Sequence, residues 1–86
     1  MDATDVRNAC AAALNRLFSA RGVCRPVERG SPDEHVCWML GTIPSMMESG
    51  RREKAMRWLG FVQGYLWAIG AAEIDEMKND NRPQAA

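Results

Sequence analysis

His35 is the only histidine in the chain; Cys37 follows it by two residues, and Cys24 lies upstream. Imidazole nitrogen and thiolate sulfur are zinc ligands, so these three residues are the first candidates for a metal centre. Their spacing argues against one. Side chains two apart on a helix diverge by about 200°, and the chain contains no Cys-x-x-Cys pair. A histidine hydrogen-bonded near a helix start is the simpler expectation for His35. Thiol catalysis needs a base beside an accessible sulfur. Cys10 falls on apolar helical positions and Cys37 adjoins Trp38, so both read as small core residues. Glu73, Asp75, Glu76 and Asp80 lack the loop spacing of a calcium site and read as a solvated helix face. No catalytic residue, metal site or cofactor is expected, and the chain is not expected to be an enzyme.

Two other sets of residues are better suited to binding. Arg51, Arg52, Lys54 and Arg57 form a basic cluster, relieved only by Glu53. One reading pairs this cluster with the acids of 73–80, within one chain or between chains, as a screened ion-pair network. The other has it contact phosphates or an acidic partner. Positive charge at a helix N-terminus opposes the dipole, which favours an external use slightly. The second set is Gly60, Gly64 and Trp67. Each mid-helix glycine costs about 1 kcal/mol relative to alanine. Glycines four apart share one face, where another backbone can approach closely. Trp67 lies toward that side, and tryptophan and tyrosine are typical of interface centres. The competing view is that Trp38, Trp58 and Trp67 fill the volume of a small core.

The elements that carry these residues can be read from periodicity. Val6, Cys10, Ala13, Leu14, Leu17 and Phe18 mark a helix over about 3–21, capped by Asp2 and stopped by Gly22. Residues 23–30 form a loop. Ser31-Pro32-Asp33-Glu34 is a capping box with proline at the first helical position. It opens a second helix over 31–49 with Val36, Met39, Leu40, Ile43 and Met47 on its apolar face. Pro44 removes one backbone bond, so a kink there or a break with a new start near Ser45 is predicted. A third helix covers 51–69, with Ala55, Trp58, Leu59, Val62, Leu66 and Ile69 as its stripe and Phe61 and Tyr65 beside it. A short fourth helix over 72–79 is anchored by Ile74 and Met77. Gln63, at the edge of the third stripe, could bridge helices or face water. The fold class is all-α, a single small bundle over residues 1–86. The second and third helices form an antiparallel hairpin, the first lies across them, and the fourth closes one end.

The totals narrow the partners. Eighty-six residues make one domain at most, and a domain this small often relies on a second subunit. Eleven basic residues balance eleven acidic ones, so no net field draws the chain to nucleic acid or anionic lipid. No run approaches ~20 apolar residues, so no membrane span is expected. Three irregularly spaced cysteines do not suggest a disulfide framework, and an acidic start does not suggest a signal peptide. A reducing cytoplasm is the expected compartment.

The run Glu53 to Gly70, EKAMRWLGFVQGYLWAIG, followed by IDEMKNDNRP over Ile74 to Pro83 and preceded by HVCWM over His35 to Met39, resembles small uncharacterised proteins encoded by tailed bacteriophages and prophages. The similarity covers residues 35–83, and the first helix lies outside it. It implies a phage accessory gene product in the bacterial host cytoplasm, of a size that commonly acts by binding a larger host or phage protein. The expectation is a non-enzymatic protein that works by protein–protein contact, as a homodimer, in host interference, anti-defence or regulation. Its contact residues would be Gly60, Gly64, Trp67, Arg51, Arg52, Lys54 and Arg57. The alternative is nucleic-acid binding through the Arg51–Arg57 cluster.

Overall fold

Four helices follow one another in the computed structural model, which describes residues 1–22 and 25–82. They are α1 (Ala3–Arg21), α2 (Pro32–Glu48), α3 (Arg52–Ala68) and α4 (Ile74–Asp80), and no strand occurs among the described residues. The expected all-α bundle is the observed one. α2 packs against both α1 and α3, α1 also touches α3, and α4 rests on α1.

Local chemistry sets the boundaries. The Asp2 carboxylate accepts from the Asp5 amide at 2.8 Å, and Asp5 accepts from the Asp2 amide at 3.0 Å. Ser31 and Glu34 exchange the same pair of bonds at the start of α2, at 3.2 and 2.9 Å. Each box satisfies two amides that a helix start leaves without intrahelical partners. The α2–α3 turn is three residues long because Gly50 adopts φ +80°. Its amide donates to Met47 O at 3.2 Å and the Arg51 amide to Met46 O at 2.7 Å. This is the Schellman closure, and it folds the hairpin back on itself. Gly70 at φ +75° repeats the closure after α3, with the Ala71 amide on Leu66 O at 2.8 Å.

Pro44 does not break α2, which runs unbroken from Pro32 to Glu48. One turn earlier, the Thr42 hydroxyl donates to Trp38 O at 2.9 Å, and Ser45 donates to Thr42 O at 2.7 Å. The anticipated second start near Ser45 is therefore absent.

The core gathers Val6, Ala13 and Leu17 from α1, Val36, Leu40 and Ile43 from α2, and Ala55, Leu59, Val62 and Leu66 from α3. Three expectations need correction. Phe18 and Ile74, read as packing residues, are both more than half exposed. α4 buries no residue fully, although its other expected anchor, Met77, does pack half-buried against the core. Met46, not Met47, is the buried methionine of the last α2 turn.

What holds α4 is chiefly polar. The Arg16 guanidinium grips Asp80 with two bonds, both 2.9 Å, and Glu76 with a third at 2.7 Å. Gln63 and Asn81 exchange amide bonds at 2.6 and 3.0 Å, so Gln63 bridges α3 to the end of α4. A second polar clasp joins the other three helices. The Tyr65 hydroxyl of α3 donates to the Asp33 carboxylate of α2, whose other oxygen pairs with Arg21 of α1 at 3.1 Å.

Burial, aided by that bond to Asp33, raises the pKa of the Tyr65 hydroxyl above the usual tyrosine value. A group whose pKa is raised by folding adds stability that is complete below its unfolded pKa, ~10 for tyrosine, and is lost as pH climbs through the folded value. Tyr65 is the only tyrosine, so phenolate absorbance reads it directly. The native titration midpoint should lie above that of the urea-unfolded chain, and Asp33→Asn should lower the native midpoint. Superimposable native and unfolded curves would contradict the clasp.

Candidate functional site

The helical repeat divides α3 between two environments. Ala55, Leu59, Val62 and Leu66 point into the core. At about 100° per residue, Gly64 points roughly opposite to them, and Gly60 lies about 40° away from Gly64. A β-carbon built on either glycine would meet nothing within 4 Å. The glycines therefore serve no packing within the protomer, although each costs helix stability. Phe61 and Trp67 flank Gly64 at about 60° on either side, with 60% and 57% of their surfaces exposed. Exposed Ala68, Arg57 and Glu53 complete the face. The result is a shallow track with a glycine floor and two aromatic walls, on the side of α3 that no other helix covers.

Beside the track lies a ladder of rings. His35 stacks on Trp38 at 5.5 Å between centroids, Trp38 leans on Trp58 at 5.6 Å, and the Lys54 ammonium sits 5.3 Å above the Trp58 ring. Trp58 is thus half-buried between α2 and the surface, not a full core residue. The His35 ring donates from Nδ1 to the Glu28 carbonyl, the hydrogen-bonded role expected for it. A depression of about 310 Å³ lined by His35, Met39, Arg57, Trp58 and Phe61 connects the ladder to the track.

The basic cluster occupies the next turn. Gly50, Arg51, Arg52, Glu53, Lys54 and Arg57 line an open depression of about 470 Å³ at the start of α3. No side chain caps this helix start. The acids of 73–80 are one expected ion-pair partner, but among the described residues no such pair forms within the protomer. Glu76 and Asp80 are held by Arg16 instead, because α4 rests on α1. Among the described residues, Arg51, Arg52 and Arg57 have no carboxylate within salt-bridge distance, and neither Glu73 nor Asp75 has a cation. The structure thus brings Gly60, Gly64, Trp67 and Arg57 onto one face and sets Arg51, Arg52 and Lys54 at its N-terminal end.

Phe61 is the contact residue that the sequence placed only beside the apolar stripe. The signal was available, since it lies one position after Gly60, away from Leu59 and Val62. Phe18 overhangs a separate depression of about 390 Å³ with Leu14, Pro26, Cys37 and Gly41, remote from the basic cluster in sequence.

The cysteines do not extend the site. Burial pushes the Cys10 thiol up to about 11, leaving almost no thiolate near neutrality. Cys37 is buried and disulfide-bonded, which corrects its reading as a simple core thiol and the expectation, drawn from an odd and irregularly spaced cysteine count, of no disulfide. Cys24, the third candidate zinc ligand, lies outside the described residues, and these contain no group of three residues that could hold a metal ion. No helix among them is long and apolar enough to cross a membrane. In comparison with known proteins, the chain matches no protein-family model, no curated protein and no solved structure.

Proposed function

We propose that this chain is a non-enzymatic, phage- or prophage-type accessory protein that acts by protein–protein contact, and that the outward face of α3 joins two copies into a homodimer. One observation carries the contact reading. Gly60 and Gly64 open onto empty space between two aromatic side chains that are each more than half exposed. Water solvates such a face poorly, whereas a second backbone laid along the glycines would cover both rings. The resemblance over residues 35–83 supplies the phage context and with it a cytoplasmic setting, in host interference, anti-defence or regulation.

Gly64→Leu tests the contact. The leucine has room within the protomer and favours helix more than glycine does. Folding should therefore survive, and helicity by circular dichroism should match wild type. Self-association should weaken by at least about 100-fold, since a branched side chain would fill the floor of the track. Unchanged association would show that the track is not the contact.

The bare basic cluster favours a second reading, in which Arg51, Arg52 and Arg57 neutralise nucleic-acid phosphates. That reading requires an affinity that falls steeply with added salt and is lost in Arg51→Ala/Arg52→Ala.

A further inference from the structure

The homodimer reading leaves open how the copies are oriented, and the charges of the protomer decide between the two simple arrangements. Rings and glycines alone would tolerate α3 helices running parallel or antiparallel. Parallel pairing sets Arg51, Arg52 and Arg57 of one copy against the same residues of the other. Glu53 offsets one charge of the cluster, but among the described residues none of the three arginines has a carboxylate within salt-bridge distance, so a net positive charge would meet its like at close range. Antiparallel pairing sets this basic end against the chain that follows α3, where Glu73 and Asp75 are exposed and lack a cation. It also sets opposite helix dipoles side by side.

We infer that the second copy docks antiparallel on the outward face of α3, about a two-fold axis near Val62, with Arg51 and Arg52 of each chain lying against Glu73 and Asp75 of the other. This rests on the homodimer reading and gives it a geometry. A two-fold axis at that height places Gly60 opposite Gly64. It brings the two Phe61 rings together beside the axis and lays Trp67 of each copy near Gly60 and Arg57 of the other, a cation–π arrangement. The footprint calls for the charged ends as well. A 17-residue helix is about 25 Å long and about 10 Å wide, a projected strip of roughly 250 Å². A standard interface takes about 800 Å² per partner, so the contact has to extend beyond the strip at both ends.

Charge exchange tests the orientation. Arg51→Glu/Arg52→Glu makes one variant and Glu73→Arg/Asp75→Arg a second. Each alone should self-associate at least tenfold more weakly than wild type, because its two ends then repel those of its copy. An equimolar mixture should recover dimers, since every end then meets its opposite. The first variant should fold, because Arg51 and Arg52 are exposed without ion pairs and acids suit a helix start. If the second variant unfolds, salt provides the readout. Added salt should strengthen association of the first variant and weaken that of wild type. A wild-type dimer indifferent to the first pair of substitutions, or a mixture of folded variants that stays dissociated, would overturn the orientation and leave the α3 contact standing. A wild-type chain that never exceeds protomer mass would overturn the homodimer itself.

Discussion

Leu59→Ala should destabilise the folded protomer by about 3 kcal/mol, within the range found for truncating a fully buried leucine. Leu59 is among the largest fully buried side chains, in a core drawn from α1, α2 and α3. A chain of this length has roughly 4–13 kcal/mol of stability in all, so one such cavity removes at least about a fifth of it. At about 4–8 °C per kcal/mol, the thermal midpoint should fall by about 12–24 °C. Trp67→Ala, eight positions along the same helix, removes a larger side chain. Under dilute conditions, where the chain is monomeric, it should change stability by no more than about 0.5 kcal/mol, because more than half of that ring already faces water. Urea unfolding followed by circular dichroism measures both. Equal losses would mean that Trp67 belongs to the protomer's own packing.

Arg16→Ala should release α4. That helix has seven residues and buries none of them, and isolated helices of this length do not persist in water. Its hold on the bundle is chiefly the three-bond grip of Arg16 on Asp80 and Glu76 and the Gln63–Asn81 exchange, with half-buried Met77 packed against the core. Arg16 and Asp80 keep only 24% and 15% of their side-chain surfaces exposed, whereas Glu76 keeps 44%. The grip is therefore stronger than an exposed pair yet well short of a fully buried one, and its loss should cost about 1–2 kcal/mol. The effect should be local. Amide exchange in residues 74–81 should accelerate by about 5- to 30-fold, while α2 and α3 keep more of their protection. Protection retained across 74–81 would mean that α4 is held by something other than Arg16.

The parts of the fold legible in the sequence are those determined within a few residues. Asp2 as a helix cap and Ser31 with Glu34 as a capping box act within three residues, and Gly22, Gly50 and Gly70 stop helices through bonds to the preceding turn. Contacts between distant segments were not legible. Arg16 and Asp80 are 64 positions apart. The sequence presents Arg51–Arg57 as the more conspicuous partner for the acids, and only the packing of α4 on α1 reassigns them. Periodicity gave Phe18 and Ile74 apolar positions, but it cannot tell whether a neighbouring helix arrives to cover them. Gly60, Gly64 and Trp67 could be singled out because glycine in mid-helix has a cost that demands a use. Whether that use lay inside the protomer depended on what α1, α2 and α4 leave uncovered.

Sedimentation equilibrium of the wild-type chain, from low micromolar to several hundred micromolar at moderate salt, tests the outward face of α3 most directly. The expected result is a reversible rise from the 9.6 kDa of the protomer toward twice that mass. A single species of protomer mass over the whole range, with tryptophan fluorescence equally unchanged, would contradict it.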